Sequence, residues 1–273
     1  MKKIAFLFLT IKDINFPNIW DAYFKNNKNK YNIYIHPKYS DQVNWHPENI
    51  INNLVETKWG FITRAYIELF KEALKDKDNY KFITMSEACI PIKSFDIFYK
   101  DVTDDPRSWI KIMKLTKYDL QFRLKNESKN IIHHYARFCL NRHHIKKILI
   151  KKNTLDFFHN MHVGDEFFLS VLYPLKNYRN FDVIYDDWEY TENLKTNIKN
   201  KIKKLYEEQE LNKNINNTIK IRILKDKFNC IAGHPKTIIN VEEDLTKIKN
   251  SKSYFYRKFS QDSNIEKYIY DII

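Results

Sequence analysis

Residues 1–37 spell a strand, a helix and a second strand, and that order leaves few folds open. Ile4 to Thr10 is apolar in all but its last residue, as a central parallel strand covered on both faces must be. Ile14 to Phe24 carries Trp20, Tyr23 and Phe24 at roughly helical spacing, and Tyr31 to Ile35 is a second strand ending at His36-Pro37. Strand, helix, strand is a βαβ unit, which predicts an α/β fold with an open sheet. Such sheets bind ligands at the carboxyl ends of their strands. Thr10, Ile11, His36 and Lys38 stand at those ends.

The pattern continues. Val55 to Gly60 precedes a helix over 61–74, with Tyr66, Leu69, Phe70 and Leu74 as its apolar stripe. Tyr80 to Met85 is a third strand, and the Ser86-Glu87-Ala88-Cys89-Ile90-Pro91-Ile92 loop lies at its carboxyl end, where Pro91 stops regular structure. Ser86 and Glu87 are therefore site candidates, although ordinary turn chemistry explains them equally well. Asp76-Lys77-Asp78 precedes a strand and reads as a helix-end turn. Residues 106–132 mix Trp109, Tyr118, Phe122 and Arg123 with polar residues, a flexible or acceptor-facing segment. A strand over 136–140 and a basic helix over 142–151 follow. His133-His134 and His143-His144 lack the i, i+4 spacing of helical metal sites and read as solvated polar histidines.

Gly164-Asp165-Glu166-Phe167-Phe168 places two carboxylates inside an apolar stretch, where desolvating a charge is costly. With Asp165 as helix N-cap, Glu166 falls in the first turn, which favours an anion. Burial raises a carboxyl pKa and a helix start lowers it, so a general base can be poised there. The plain alternative is that the pair only starts a helix. Further on, a short strand in 182–190 leads to Asp187-Trp188-Glu189-Tyr190, and residues 191–227 are a Lys/Asn-rich insertion or mobile segment with a surface helix near 198–211. His234-Pro235-Lys236-Thr237 precedes an acidic helix over 242–248. Tyr254 to Phe259 closes the core and holds Arg257-Lys258, charges that need a partner near apolar surface, either a bound diphosphate or an internal carboxylate.

Composition bounds the function. At 273 residues, 43% hydrophobic and 15% aromatic, the chain can bury a core, expected as one domain over 1–273. Three glycines exclude a Gly-rich phosphate loop, so any bound phosphate must be held by side chains or helix ends. A net charge of +13 points to nucleic acid, to a nucleotide-linked small molecule, or to no more than a solvated basic surface. Cys89, Cys139 and Cys230 form neither a disulfide framework nor a zinc pattern, which fits a reducing compartment. Met1-Lys2-Lys3 and the short apolar run after it lack a cleavage site, and no run is long enough to cross a membrane. A soluble, intracellular protein is expected.

Taken in order, these pieces resemble the core-2/I-branching β-1,6-N-acetylglucosaminyltransferase family (glycosyltransferase family 14). The likeness rests on Lys3 to Thr10, Ile33-Tyr34-Ile35-His36-Pro37, Trp59-Gly60, Ser86 to Ile92, Asp165-Glu166, Trp188-Glu189-Tyr190, His234-Pro235 and Arg257-Lys258-Phe259. The resemblance implies a GT-A-like open, mostly parallel sheet flanked by helices. It also implies an inverting transfer of a sugar, N-acetylglucosamine or xylose, from a UDP-sugar to a hydroxyl of a glycan acceptor. Glu166 would be the catalytic base. Many GT-A enzymes offset the charge of departing UDP with a divalent metal; the resemblance implies instead a metal-free design with no cofactor, in which basic side chains do so. Lys258 takes one such position, Lys236 another where an Arg is expected, and Arg257 shares the task. Leu9, Thr10 and His36 would border the uridine, although the animal enzymes carry an Asp where His36 stands. Trp188, Tyr190 and Glu87 would meet the acceptor; core packing accounts for Trp188 equally well. The animal enzymes' membrane anchor and cysteine pairs have no counterpart in this sequence, which implies a bacterial or viral relative acting in the cytoplasm. Two other readings compete: a basic nucleic-acid-binding domain, which has no recognised motif behind it, and an inactive relative that only binds glycans.

Overall fold

A computed structural model describes residues 1–116, 130–211, 216–231 and 234–273, with backbone alone for 229–231. By its contacts the chain divides into two units, Met1–Tyr185 with Ile239–Ile273, and Asp186–Ile238.

The first unit is the α/β body that the N-terminal pattern predicts. Its strands are β1 (Lys3–Thr10), β2 (Tyr31–Pro37), β3 (Asn79–Ser86), β5 (Ser108–Met113), β6 (His133–Asn141) and β7 (Tyr178–Asn180), in the order β2-β1-β3-β6-β5-β7. β1 is parallel to β2 and β3, and β5 to β7, while β6 runs against both β3 and β5. The sheet is mostly parallel, with one reversed strand.

The period of two in β1 explains why its sequence is apolar throughout. Ile4, Phe6 and Phe8 enter one core cluster and Ala5 and Leu7 the other, because alternate side chains leave opposite faces of a strand. The first face is covered by α1 (Pro17–Phe24), where Trp20 stacks on Phe255 (5.9 Å, 17°) and meets Phe8 edge-on (5.0 Å, 85°). The other is covered by α2 (Thr63–Leu74), whose Tyr66, Leu69 and Phe70 are fully buried as the stripe requires, and by α4 (Arg142–Leu149) and α5 (Lys152–His159). α1 begins at Pro17, three residues inside the periodic stretch, with Pro in the first turn where its missing N–H costs nothing.

A smaller sheet, β4 (Ile90–Pro91), β9 (Phe255–Arg257) and β8 (Ile184–Asp186), closes the body. α3 (Phe95–Asp104) lies between β4 and β5, and α8 (Leu245–Asn250) and α9 (Glu266–Ile269) flank β9 in sequence. The helix expected over 242–248 thus sits three residues later. The blurred stretch 106–132 contains β5: Trp109 and Ile110 are buried and pair with Cys139 and Phe138. Tyr118, Phe122 and Arg123 lie outside the described residues.

The second unit holds α6 (Trp188–Leu211) and α7 (Thr218–Ile231), which pack on one another. Residues 191–227 fall within it. The Asp187 carboxylate accepts a hydrogen bond from Tyr190 N–H (3.2 Å), so α6 starts at Trp188, ahead of the stripe at 198–211. Among the described residues, no helix is long and apolar enough to cross a membrane.

Candidate active site

Three residues singled out from the sequence stand in one row across the sheet. Leu9 pairs with His36 of β2 on one side and with Ser86 of β3 on the other. Thr10 and Glu87 follow at the carboxyl ends of their strands. Because β6 is reversed, its first residue, His133, lies at this same edge, paired with Met113 at the end of β5.

His36 is fully buried, and its Nε2 accepts a hydrogen bond from Val55 N–H (3.0 Å). Burial lowers its pKa, so the ring is neutral and its hydrogen sits on Nδ1. Neither that Nδ1–H nor the buried Thr10 hydroxyl makes a hydrogen bond among the described residues. An unsatisfied buried polar group costs about 1–3 kcal/mol. Two at the end of adjacent strands mark a place where a ligand's polar atoms would be stabilising. The loop that follows Thr10 lines a cavity of about 410 Å³ with Lys12, Asp13, Ile14 and Asn15, together with Gln42, Asn44 and Gln261.

The loop after β3 is tied to the basic strand. Asn15 N–H donates to the Glu87 carbonyl (3.0 Å), the Asn15 amide to the Phe259 carbonyl (2.9 Å), and Phe259 N–H to the Ala88 carbonyl (3.1 Å). With Ile90 paired to Tyr256, these bonds hold Arg257 and Lys258 against the carboxyl end of β3. Both side chains are half-buried.

Glu166 is the last residue of a single 3-10 turn, Gly164–Glu166. The expected N-cap at Asp165 does not form. Val163, at φ +53°, occupies the cap position without a side-chain cap bond, and Asp165 is buried within the turn. The apolar run Phe167-Phe168-Leu169 resembles a helix in sequence, but it buries its side chains through a second 3-10 segment, Phe168–Leu172. Gly60 braces the turn: its carbonyl accepts from Val163 N–H at 2.6 Å. Glu166 stays partly exposed, with Oε2 3.6 Å from Nε2 of His133.

Tyr66 is tied to the reversed strand. Its phenol accepts from the Arg137 guanidinium (2.5 Å), and burial pushes it up to about 12. Arg137 draws that value back, Asp165 raises it, and Arg257 lowers it.

Other expected site residues belong to the second unit. Lys236 and Tyr190 meet within the second unit: Lys236 Nζ lies 4.9 Å from the Tyr190 ring, and Lys236 N–H donates to the Asp187 carbonyl (3.0 Å). Trp188 is in the same unit. Asp76-Lys77-Asp78 forms the turn between α2 and β3, at the amino ends of the strands. Desolvation raises the Asp76 pKa, but hydrogen bonds from Asp78 N–H, Lys3 and Asn32 outweigh it and leave the carboxyl low.

The paired histidines are not all solvated. His134 is fully buried, donating from Nδ1 to the Tyr135 carbonyl (2.8 Å) and accepting on Nε2 from Leu169 N–H (3.3 Å). His144 is buried against Ser108 (2.7 Å). Both are neutral parts of the core. His133, with Nε2 3.6 Å from Oε2 of Glu166, is a candidate that spacing missed; its position at the sheet edge reveals it. Among the described residues, no group of three or more His, Cys, Asp or Glu is placed to hold a metal.

Residues 4–137 match the family model for the Core-2/I-Branching enzyme. This segment is similar to the Core-2/I-Branching enzyme family. It contains the row Leu9, His36 and Ser86, with Thr10 and Glu87, while Glu166, Lys236, Arg257 and Lys258 lie beyond it. "Glycosyltransferase BC10" of Oryza sativa subsp. japonica is 26% identical over 125 residues, which cover 42% of this chain and 31% of that relative. The chain thus spans under a third of the length of that curated relative. Among solved structures, A197 from STIV is matched over 58% of this chain and 79% of its own, at 12% identity and a TM-score of 0.28, too slight a likeness to inform the fold.

Proposed function

We propose that the protein is an inverting glycosyltransferase that moves a sugar, N-acetylglucosamine or xylose, from a UDP-sugar to a glycan hydroxyl without a metal ion. The observation that supports this reading best is the row Leu9, His36 and Ser86 at the carboxyl edge of the sheet. The strand that leads to Lys258 is held at this edge, with Ile90 paired to Tyr256 and Phe259 N–H donating to the Ala88 carbonyl (3.1 Å). The family match at residues 4–137 and the name of the rice relative support the reaction class.

In this reading Glu166 removes the proton of the acceptor hydroxyl as that oxygen bonds to the anomeric carbon. The bond to UDP breaks on the opposite side, and its electron pair leaves with the β-phosphate. Lys258, with Arg257, offsets that charge; fixed cations aimed at developing charge usually supply a large part of catalysis. Leu9, Thr10 and His36 border the uridine, where the unsatisfied hydrogens of His36 and Thr10 await oxygen atoms of the base or ribose. Glu87 lies on the acceptor side. In the second unit, Lys236 is assigned to the diphosphate and Trp188 and Tyr190 to the acceptor, residue by residue, from the resemblance alone.

The test is UDP release from UDP-N-acetylglucosamine and UDP-xylose, with and without EDTA, beside thermal shifts with the same donors, because binding to the native state raises the melting point. Turnover or stabilisation that persists in chelator is expected. No response to any UDP-sugar ends the donor assignment, and turnover abolished by EDTA ends the metal-free one.

A further inference from the structure

The two helices of the second unit leave an apolar groove that the transfer reaction does not use. α6 and α7 run antiparallel. At the start of α7 the Asn217 amide donates to the Leu205 carbonyl (3.0 Å), and near its end the Phe228 ring faces Lys199 Nζ (5.3 Å). Between the helices is a cavity of about 370 Å³, walled by Leu205, Ile223, Leu224 and the stems of Lys201, Lys204 and Lys220. Ile223 is 61% exposed, and Ile219, one turn earlier on the same stripe of α7, is 75% exposed. Neighbouring lysines have internal partners: Lys195 pairs with Glu192, Lys203 with Glu207, and Lys225 donates to the Tyr206 hydroxyl (3.1 Å). Lys201, Lys204 and Lys220 are exposed and make no ion pair among the described residues. Three ammonium groups therefore flank an apolar slot; Glu208, one turn beyond Lys204, is the opposing charge on α6.

We propose that this groove docks on the surface of an anionic lipid bilayer, with Ile219 and Ile223 entering the headgroup boundary and Lys201, Lys204 and Lys220 meeting lipid phosphates. The charge pattern selects this occupant. A lysine lays its apolar stem along a greasy surface and keeps its ammonium group in a polar layer. Side chains of this kind around isoleucine fit an interface whose outer layer is negative and whose inner layer is hydrocarbon. A second copy of the chain would set the same lysines face to face, and like charges across an interface repel. A stable protein partner needs about 800 Å² on each side, more than a slot walled by six side chains offers. A bilayer has no such minimum, because it is fluid and closes around whatever enters it. The helices lie on the membrane in this arrangement and do not cross it, since neither is apolar enough to span. The surface is independent of the reaction assigned to the first unit.

The test is flotation of the full chain with vesicles of phosphatidylcholine alone and of phosphatidylcholine mixed with phosphatidylglycerol. Binding to the mixed vesicles, absent from the neutral ones and weakened by high salt, is expected. The triple variant Lys201→Glu, Lys204→Glu, Lys220→Glu should lower the partition coefficient at least roughly 100-fold. Ile219→Ser with Ile223→Ser keeps every charge and should lower it roughly tenfold or more. Lys25→Glu with Lys28→Glu, exposed in the first unit, controls for bulk charge and should change it less than about twofold. No binding to either vesicle, equal binding to both, or binding retained by both groove variants overturns the proposal. So does a control that loses as much as the lysine variant, because the attraction would then belong to the whole basic surface. Light scattering of the free protein tests the remaining occupant. A dimer that dissociates in the isoleucine variant, without vesicle binding, assigns the groove to a second copy and overturns the bilayer. Should the isoleucine variant melt early, the lysine variant, whose three positions are all exposed, decides.

Discussion

A 2.5 Å hydrogen bond joins the phenol of Tyr66 to the guanidinium of Arg137, one residue buried on a helix and the other half-buried on the reversed strand. Removing the acceptor takes one hydrogen bond from a charged donor. Tyr66→Phe is expected to cost about 1–3 kcal/mol, read from urea unfolding midpoints at constant slope. A variant as stable as the parent would show that the bond contributes nothing net.

Glu166→Gln keeps the size of the side chain and removes its basicity. UDP release should fall at least ~100-fold while the melting temperature holds within a few degrees. Full activity in a folded variant would refute the assignment. Lys258→Ala should weaken UDP roughly tenfold by calorimetry, about 1.4 kcal/mol; an unchanged affinity would take Lys258 out of the donor site.

Gly164 is demanded by close approach. A Cβ built there lies 2.0 Å from the Phe158 carbonyl oxygen, which is backbone and cannot step aside cheaply. Gly164→Ala should destabilise by roughly 1–3 kcal/mol and displace the turn that carries Glu166. Unfolding and UDP release together check it: a stable variant with normal turnover would mean that the turn tolerates the shift.

Stability should fall on mild acidification. Burial lowers the pKa of His144 to about 4 and of His134 to about 3. Above the ordinary value near 6.5 both rings are neutral whether folded or not, and neither contributes slope. Below it the unfolded rings take up protons that the folded ones refuse, so stability is lost as pH drops toward the folded values, by up to about 1.4 kcal/mol per pH unit for each ring. Urea melts at pH 7.5, 6 and 5 test this; a flat profile would contradict the neutral-core assignment.

Phe255 sits between Trp20 (5.9 Å) and Phe98 (4.9 Å) with no exposure. Phe255→Ala should cost about 3–5 kcal/mol. Because the same strand leads to Arg257 and Lys258, UDP affinity should fall as well. Chemical denaturation beside calorimetry separates the two effects, and a variant that loses neither would show that the strand is anchored elsewhere.

The body of the fold was legible where a single face or period decides the outcome. The apolar run of β1, the Tyr66–Phe70 stripe of α2 and the turn at Asp76 follow from local sequence. Local reading failed where distant contacts decide. Ser108–Met113 is a strand because Trp109 and Ile110 find partners in β6, a pairing that leaves no short-range signature. Phe167 to Leu169 looked helical because an apolar run does not distinguish an α-helix from two 3-10 turns. At the site, residue types were readable but partnerships were not. Nothing in the spacing of Leu9, His36 and Ser86 announces one row, and nothing near His133 announces Glu166.

The division of the chain also bears on the order in which a ribosome delivers it. Ile90 emerges long before Tyr256, its partner in the smaller sheet, and all of residues 186–238 are made in between. Until that late segment arrives, the aromatic face of β1 and α1 lacks Phe255, and the nascent body must wait with oily surface showing. Closing so wide a loop is slow. A cell making this protein would hold it incomplete for most of its synthesis, and the edge that carries Arg257 and Lys258 would form only when the final strand docks.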